Sequence, residues 1–363
     1  MRRPKWIPAW LGFALAVVAA GLPGCGGGGA SRDPRELRVM TRNLYLGAEL
    51  GPVIEAVAGG DPDGIVLATS EAFAAVVATD FPTRAEAIAD EIVAASPDVV
   101  GLQEAALWRV QSPSDTLDPS PTSATDVAYD FVALLLDALA RRGLDFVVVA
   151  EAVEADVELP ALDESMSLMD VRFTDRDVLL ARGDLVANGA VYGGSSGLFD
   201  TFLDLGGGLV VPRGWVAADV RVAGRTVRVV STHLEDASED LQRAQATELL
   251  AGPLAGDGMA VLLGDLNSDA NALPPGATYL DVTAAGFIDA WLAAGHGAGT
   301  GATWGHDAAL TDPDASLSQR LDLVLVRGAL SVRSADVHGD DPGDMQGGLW
   351  PSDHAGLSVV LRR

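Results

Sequence analysis

Short apolar stretches that read as buried strands recur along this chain, and several of them stop abruptly at a polar residue. The clearest is "VLLGDLNSD", in which Val261–Leu263 lead through Gly264 to Asp265 and Asn267. Residues two apart on an extended chain point to the same side. The pattern therefore predicts a carboxylate and an amide held together where a core strand leaves the sheet, although both residue types also form ordinary turns.

Strand-like and helix-like stretches alternate irregularly, which limits the possible folds. "ELRVMTRNLYLG" reads as a first strand, and the apolar spacing in "FPTRAEAIADEIVAASP" predicts a helix that ends before the strand "DVVGLQ". A second helix is predicted from about Val127 to Arg142. "VVPRGWVAADVRV" and "TVRVVSTHLE", joined through "AGR", predict a hairpin. This order favours an α/β (α+β) fold of two mixed β-sheets packed face to face with outer helices over a simple parallel wound sheet.

Polar residues close several other strand-like stretches as well. They are Asn43, Glu104, His233, Asp322, and Asp353 followed by His354. Glu104 and Asp353 are oxygen ligands of the kind that Mg²⁺ prefers, and a lone cysteine excludes a thiolate zinc site. Asp322 is suited to orient a histidine ring, and Asp265 with Asn267 to act as an acid–base group and a neutral donor. Taken singly, an Asp or Asn after a strand, such as Asn43, is also explained as a turn former or helix cap, and "GDLNSD" as a turn or a fragment of a calcium loop. Glu104 could be a solvated strand end and His233 a core histidine.

The order of these segments carries more information than any one of them. "TRNLY", "VVGLQEA", "VVSTHLE", "LLGDLNSD", "RLDLVLV" and "PSDHAGL" resemble, in that order, the motifs of the endonuclease/exonuclease/phosphatase superfamily. The similarity runs from about Arg38 to Leu361. It implies a four-layer sandwich with the site at the sheet ends, and a hydrolase that cleaves phosphoric esters by metal-assisted in-line attack of water without a covalent intermediate.

The same resemblance assigns the metal and the water. Glu104 would hold a divalent metal, with Asn43 and Asp353 close to it, and Mg²⁺ is the expected ion, with Mn²⁺ or Ca²⁺ as alternatives. Asp265 would position or deprotonate the attacking water. Asn43 and Arg176 are the expected contacts to the phosphate, while a salt-bridged strand start is the alternative reading of Arg176.

The resemblance also places donors around the transition state. Asn267 and His233 would stabilise the five-coordinate phosphorus, and His354, held by Asp322, would contact the scissile phosphate. Asp177 is the expected partner of His233.

The first residues have the pattern of an export signal. "MRRPKW" is basic, "WIPAWLGFALAVVAAG" is apolar, and "LPGC" resembles a bacterial lipobox. We expect a lipoprotein-type signal peptide over residues 1–24, a lipid anchor on Cys25, a Gly-rich tether over 25–36 and the enzyme domain over 37–363. The protein would then be a membrane-anchored lipoprotein of a bacterial envelope, periplasmic or at the cell surface; otherwise it is secreted.

The net charge of the chain limits the classes of substrate that it is expected to bind. The chain carries a formal charge of −27, and removal of residues 1–24 leaves 21 basic residues against 51 acidic ones, or −30. Its sole lysine, Lys5, would be lost with the signal, which excludes lysine-dependent chemistry. The acidic balance opposes a general nucleic-acid-binding surface, because phosphate neutralisation needs clustered cations.

A phospholipid or another small phosphodiester is therefore the favoured substrate. There are three alternatives: an extracytoplasmic DNase I-like endonuclease, a non-catalytic surface binding protein on the same fold, and a calcium-stabilised structural domain. Nucleic acid is expected only as a substrate, in the first of these. Two loops, residues 109–126 and 193–215, are expected to select the substrate. The second would touch a membrane or, alternatively, pack on the core.

Overall fold

The computed structural model describes residues 33–116, 118, 120–206 and 209–363. The predicted signal peptide, Cys25 and most of the predicted tether lie outside these residues, so those predictions concern a part of the chain not described below. Pro34–Arg363 form one compact unit.

Strands make up most of the regular structure. In the described residues they are β1 (Glu36–Asn43), β2 (Val99–Gln103), β3 (Leu107–Gln111), β4 (Asp126–Asp130), β5 (Phe146–Leu162), β6 (Leu168–Arg182), β7 (Val191–Leu198), β8 (Leu203–Gly206), β9 (Leu209–Val211), β10 (Gly214–Val222), β11 (Arg225–His233), β12 (Ala260–Asp265), β13 (Ile288–Asp289), β14 (Asp322–Arg327), β15 (Ser331–His338) and β16 (Gly356–Arg362).

Helices connect these strands and cover the two sheets. Over the same residues they are α1 (Gly51–Gly59), α2 (Pro62–Ala78), α3 (Phe81–Ala95), α4 (Phe131–Arg141), α5 (Gly183–Ala187), α6 (Glu239–Ala251), α7 (Ala277–Ala284) and α8 (Ala290–Ala293), with a short 3₁₀ helix at Pro342–Asp344. No single helix in the described part of the chain is long and apolar enough to cross a membrane; α2 and α3 meet that criterion only as a pair, across a 50° bend.

Two large mixed sheets organise the molecule. The first has the order β15-β16-β1-β2-β6-β3-β4, and β5 pairs with the remaining edge of β6; the second has the order β13-β14-β12-β11-β10-β7. Within them β1 and β2 run parallel, as do β11 and β12, while the other neighbours are antiparallel. The predicted hairpin is confirmed as β10–β11. In the described residues, β8 and β9 pair only with each other.

Three apolar layers hold four layers of structure together. The central layer joins side chains of both sheets, such as Val39 and Val261, while a second packs α2, α3 and α4 on the first sheet and a third packs α6 and α7 on the second. The sheets approach closely at Gly101 on β2, where an added Cβ would lie 2.3 Å from both Leu263 Cδ1 and Ser231 Oγ. The predicted sandwich of two mixed sheets with outer helices is confirmed.

One predicted helix begins later than its sequence pattern indicated. The helix predicted from about Val127 starts at Phe131, because Asp126–Asp130 form β4 and pair with β3. The Asp130 side chain then caps α4 by accepting the N–H of Ala133 at 3.4 Å. Pairing between strands, which local spacing does not show, overrode the helical pattern.

The strand registers bring the polar strand ends into one place. His233, Asp265 and Asp322 face one another across β11, β12 and β14. On the opposing sheet β1 ends at Asn43 beside the end of β2, immediately before Glu104. Because the carboxyl ends of neighbouring parallel strands meet at one edge, these side chains converge where the two sheets open.

Gly264 explains why β12 changes course just before Asp265. Its φ of +142° belongs to the region that favours glycine. An added Cβ would lie only 2.0 Å from the carbonyl oxygen of Thr232 on β11. The glycine therefore lets β12 approach β11 while turning the Asp265 carboxylate toward the opposing sheet.

Candidate active site

An amide links the two sheets at the centre of the site. Asn43 Nδ2 donates to Glu104 Oε1 at 2.9 Å and to Asp265 Oδ2 at 3.1 Å. The other oxygen of Glu104 accepts the Leu46 N–H at 2.8 Å, and Asn43 Oδ1 accepts the Tyr45 N–H at 2.9 Å. Asn43 and Asp265 are at most 1% exposed. These bonds fix the two carboxylates relative to each other before any substrate binds.

Left-handed backbone conformations accumulate around this arrangement. Tyr45, Glu104 and Asn267 have φ values of 57°, 54° and 49°. Such conformations are disfavoured for residues other than glycine and persist only where the surroundings enforce them. The chain accepts this local strain where it orients Glu104 and the segment after Asp265.

His354 lies between two acids. Its Nδ1 is 2.8 Å from Asp322 Oδ2, and its Nε2 is 3.6 Å from Asp265 Oδ2. Burial alone would lower the pKa of His354, but Asp322, Asp353 and Asp265 outweigh it and raise that pKa to about 10. The ring therefore carries a proton on both nitrogens at neutral pH, with Nε2–H directed to the centre of the site.

Asp265 has the environment of a general base. Burial raises its pKa, His354 opposes the rise, and Asp322 adds to it, so that the pKa reaches about 6. A base with a pKa slightly below the working pH is ionised and still able to take a proton from water. Asn267 holds this carboxylate in place, because its backbone N–H donates to Asp265 Oδ1 at 2.9 Å.

The Asn267 side chain is turned partly away from the centre. Its Nδ2 donates to the carbonyl oxygen of Leu234 at 2.9 Å, and the main-chain carbonyl oxygen of Asn267 accepts from Gln242 Nε2 at 2.7 Å. A side-chain amide has two N–H groups, so one remains for a ligand. Asn267 also lines the central cavity.

His233 is partnered by an arginine rather than by the expected acid. Arg213 Nη1 donates to His233 Nδ1 at 3.0 Å. Burial, then the charges of Arg213 and His354, lower the pKa of His233 well below its usual value. A neutral ring that accepts at Nδ1 must carry its proton on Nε2. That Nε2–H lies 3.7 Å from Asp265 Oδ2, so His233 presents a neutral donor to the site.

Three buried acids lie behind Arg213. The guanidinium is 4.0 Å from both Glu154 and Asp175, and 3.5 Å from Asp236 near the surface. Asp177, the expected partner of the His233 ring, is fully buried, and neither of its carboxylate oxygens has a hydrogen-bond partner among the described residues. Burial and mutual repulsion raise the pKa values of Glu154 and Asp177 well above normal. Arg213 therefore lies between buried acids and the His233 ring, and its positive charge lowers the pKa of His233.

Glu104 and Asp353 provide a donor set that fits a divalent metal. Burial, followed by the charges of Asp353 and Asp175, raises the pKa of Glu104 to about 8. A doubly charged cation would relieve this excess of negative charge, and carboxylate and amide oxygens are ligands suited to Mg²⁺.

A second group of atoms is also close enough for a metal. Ligand atoms of Asp265, Asp322 and His354 all lie within 4.8 Å of one another. A histidine ligand must be neutral, however, and Asp322 already holds the Nδ1–H of a protonated His354 ring. The chemistry of Glu104 and Asp353 therefore fits a divalent metal better than that of this second group.

Two expectations for the substrate side are not met by the geometry. Arg176 is buried, donates to the carbonyl oxygen of Ala105 at 2.8 Å and pairs with Asp130 at 2.7 Å. It does not line the cavity that contains Asp265, so it orders the segment after Glu104 instead of pointing to the phosphate. The loop 109–126 does not line that cavity either in its described part; only Trp108, just before it, does so.

Buried arginines that the sequence reading missed fix the site loops. Arg84 donates to the carbonyl oxygens of Leu44, Tyr45 and Pro351. Arg42 bonds to the His354 carbonyl oxygen and pairs with Glu91. Both arginines are almost fully buried, and buried arginine is rare unless it is paired. No local pattern identifies them, since their partners lie far away along the chain.

The site opens into a cavity of about 870 Å³. Its lining combines polar side chains with many apolar ones; the polar set includes Glu104, His233, Asp265, Asp353 and His354. Trp304, 37% exposed, also lines it and bridges to His354. This size lies in the range of small-molecule binding sites.

Arg213 is expected to position His233 rather than only to stabilise the fold. Arg213→Met removes the donor to Nδ1 and a charge that lowers the pKa of His233, so that pKa should rise. Protonated His233 would then pair with Asp265 and quench the base. We expect kcat to fall by about tenfold to a hundredfold, with the deficit growing as pH falls from 8 toward 6.

Kinetics over this pH range, with Arg213→Lys and Arg221→Gln alongside, test this role. Arg213→Lys keeps a charged donor and should recover part of the activity. Arg221, exposed at the other end of β10, controls for loss of a positive charge. A deficit that does not change with pH, and that Arg213→Lys does not reduce, would show a structural role alone.

Comparison of the sequence with protein families identifies a family whose members hydrolyse phosphoric esters. The sequence matches the Endonuclease/Exonuclease/phosphatase family over residues 75–354. No curated protein matched the sequence significantly.

Solved structures show the same fold. A family protein from Leptotrichia buccalis C-1013-b superposes with a TM-score of 0.55 at 13% identity, covering 89% of this chain and 98% of the other. One from Beutenbergia cavernae DSM 12333 gives 0.51 at 22% identity, covering 90% and 72%. TDP2 of D. rerio, complexed with a single-strand DNA product, gives 0.51 at 16% identity, covering 90% and 99%.

Proposed function

We propose, from the premise that this chain belongs to the endonuclease/exonuclease/phosphatase family of divalent-metal-dependent phosphoric ester hydrolases, that it is a Mg²⁺-dependent phosphodiesterase. One observation carries the proposal. Asp265 Oδ2, on a carboxyl with a pKa of about 6, faces Asn43, the His233 N–H and protonated His354 within 3.7 Å. A base and three donors around one point suit attack on a phosphate.

The residues divide the reaction between them. Asp265 orients a water and takes its proton as the water oxygen forms a bond to phosphorus. The bond from phosphorus to the ester oxygen breaks on the opposite side, and its electron pair leaves with that oxygen. The N–H groups of His233 and His354 donate to the phosphoryl oxygens, where negative charge increases. A metal held by Glu104 and Asp353 would supply a positive charge that polarises the phosphoryl group.

A chromogenic diester tests this proposal directly. The full chain with Cys25→Ser, which carries no attached lipid, should hydrolyse bis-p-nitrophenyl phosphate in Mg²⁺. Activity should disappear in chelator and return with added Mg²⁺. The monoester p-nitrophenyl phosphate should be a poorer substrate. Preference for the monoester would indicate a phosphatase, and chelator-resistant cleavage would contradict the metal-dependent mechanism.

The substrate that we favour is a phospholipid or another small phosphodiester. The acidic chain supports this choice, because a polyanion would be repelled by a net charge of −27. Residues 193–215, one of the predicted substrate loops, divide between core and surface. Phe199 is buried in the core, whereas Leu198 and Phe202 are 51% and 42% exposed.

An extracytoplasmic nuclease is the second candidate. It is favoured by one structural neighbour, whose structure contains a single-strand DNA product. The salt dependence of activity distinguishes a nucleic acid from a small phosphodiester as substrate. Binding of a nucleic acid weakens steeply as the salt concentration rises, because counterions are released on binding. Cleavage of a single-stranded DNA that is faster than diester cleavage and strongly salt-sensitive would favour the nuclease.

We further propose that the enzyme is exported and anchored in a bacterial envelope through Cys25. The order of a basic segment, an apolar segment and "LPGC" supports this location. The wild-type chain should partition with membranes, and Cys25→Ser should release it into the aqueous fraction. A Cys25→Ser protein that remains in the membranes to the same extent would contradict the lipid anchor.

A further inference from the structure

The cavity at the active site is lined by two chemically different sets of side chains. We define the apolar groove by six members of the apolar set, which are Ile54 and Val57 on α1, Val157 and Phe173 on β5 and β6, and Leu203 and Val211 on the β8–β9 hairpin. All six residues line the same cavity as Glu104, Asp265 and His354. A molecule with its phosphate at Asp265 can therefore extend toward the apolar groove within the same cavity.

Two of the three walls contribute little to the core. α1 contains no buried residue, although its sequence GPVIEAVAG is largely apolar. Among the described strands, β8 and β9 pair with no large sheet, and Val210 on that hairpin is 40% exposed. Apolar side chains left open to water are unfavourable unless something covers them. Their arrangement along one groove indicates a ligand with an extended apolar part.

The charges around the groove limit the ligand to one phosphate. Arg213 is the only arginine among the described lining residues, and it is already bonded to His233. Glu49, Glu235 and Asp236 also line the cavity. Away from His354, successive phosphates of a nucleic acid strand would meet these acids and, among the described lining residues, no unpaired arginine or lysine. A single phosphodiester followed by an uncharged chain meets no such repulsion.

We propose that the apolar groove binds the hydrocarbon chain of a lipid phosphodiester whose phosphate is hydrolysed at Asp265. This inference rests on the proposed phosphodiesterase function and names its substrate class. The chain, and not the headgroup alone, then determines specificity. Burial of each methylene should raise kcat/KM by about fourfold until the groove is filled.

A series of alkyl p-nitrophenyl phosphodiesters, from ethyl to octyl, tests the proposal below their micelle-forming concentrations. All members share one leaving group, so chain length alone changes. Using the Cys25→Ser full chain in Mg²⁺ without detergent, we expect kcat/KM for the octyl ester to exceed that for the ethyl ester by at least about tenfold. Ile54→Trp and Val57→Trp, which fill the groove, should bring this ratio close to one.

The control variant is Leu67→Trp, because Leu67 is 56% exposed on α2 and lies outside the cavity. It should keep the wild-type octyl-to-ethyl ratio. Melting temperatures establish that each variant folds. Because two groove variants are made, the test still works if one of them fails to fold.

Each outcome has a distinct meaning. A flat chain-length series with chelator-sensitive cleavage of the ethyl ester would overturn the groove proposal and leave the phosphodiesterase intact. No cleavage of any ester would contradict the proposed function itself. A chain-length effect that both groove variants retain would place the chain elsewhere. Faster cleavage of the p-nitrophenyl ester of a thymidine phosphate than of the octyl ester would show that the cavity takes a nucleoside.

Discussion

Asp265→Asn should lower kcat for a phosphodiester by about 10³-fold or more while the protein remains folded. Asparagine has nearly the same shape but cannot take the proton of the attacking water, and general-base catalysis alone contributes about 10²- to 10⁴-fold. Two of its neighbours, Asn43 Nδ2 and the His354 N–H, would face an amide in place of a carboxylate.

The free energy of unfolding of the same variant should change little, and any decrease should be small. Asp265 is 1% exposed, and burial raises its pKa to about 6, so its ionised form is held at a cost to folding at neutral pH. Removing that charge offsets the loss of hydrogen bonds. Kinetics and thermal melting at pH 7.5 check both parts, with Asp257→Asn, an exposed turn residue, as the control. Activity within tenfold of wild type would exclude Asp265 as the base.

Glu104→Gln should abolish the effect of Mg²⁺ on both activity and thermal stability. A ligand that binds only the folded state stabilises it, so Mg²⁺ should raise the melting temperature of the wild type as its concentration rises. Glutamine keeps the size of the side chain but removes the charge, and only one of its two terminal atoms can accept. The donors Asn43 Nδ2 and Leu46 N–H cannot both be satisfied, which costs about 1 kcal/mol.

The measurement is a Mg²⁺ titration of the melting temperature, followed by diester hydrolysis at saturating metal. Turnover should fall by about 10³-fold, since one carboxylate both holds the metal and orders the site. Glu71→Gln, on the exposed face of α2, should behave as wild type. An unchanged Mg²⁺ shift in Glu104→Gln would instead place the metal at Asp265, Asp322 and His354.

The polar residues at the strand ends could be predicted because each interrupts an apolar stretch. Asn43, Glu104, His233, Asp265 and Asp322 all follow or begin buried strands, and the registers bring them to one edge. The packing of two mixed sheets with outer helices also followed from the alternation of strand and helix patterns, whereas the order of strands within each sheet did not. These features depend on short segments and on their sequence order.

Contacts between side chains on distant segments could not be predicted from the local sequence pattern. The partner of His233 is Arg213 and not Asp177, because β10 and β11 place the arginine against the ring. Arg176 points to Ala105 and Asp130, since β6 pairs with β3 behind the segment after Glu104. A titratable residue on an ordinary strand gives no local sign of the group that it will meet.

The sequence by itself determined the chemistry: which acids, amides and imidazoles follow which strands, and therefore that a phosphoric ester is hydrolysed. Only the tertiary structure decided the protonation of those groups and the shape offered to the substrate. Burial and charged neighbours set the pKa values of Asp265 and His354, and residues of α1 and of the β8–β9 hairpin, about 150 positions apart, line one cavity. The local sequence pattern predicts where strands end. The pKa values and the cavity depend on packing between distant segments, which no single segment of the sequence predicts.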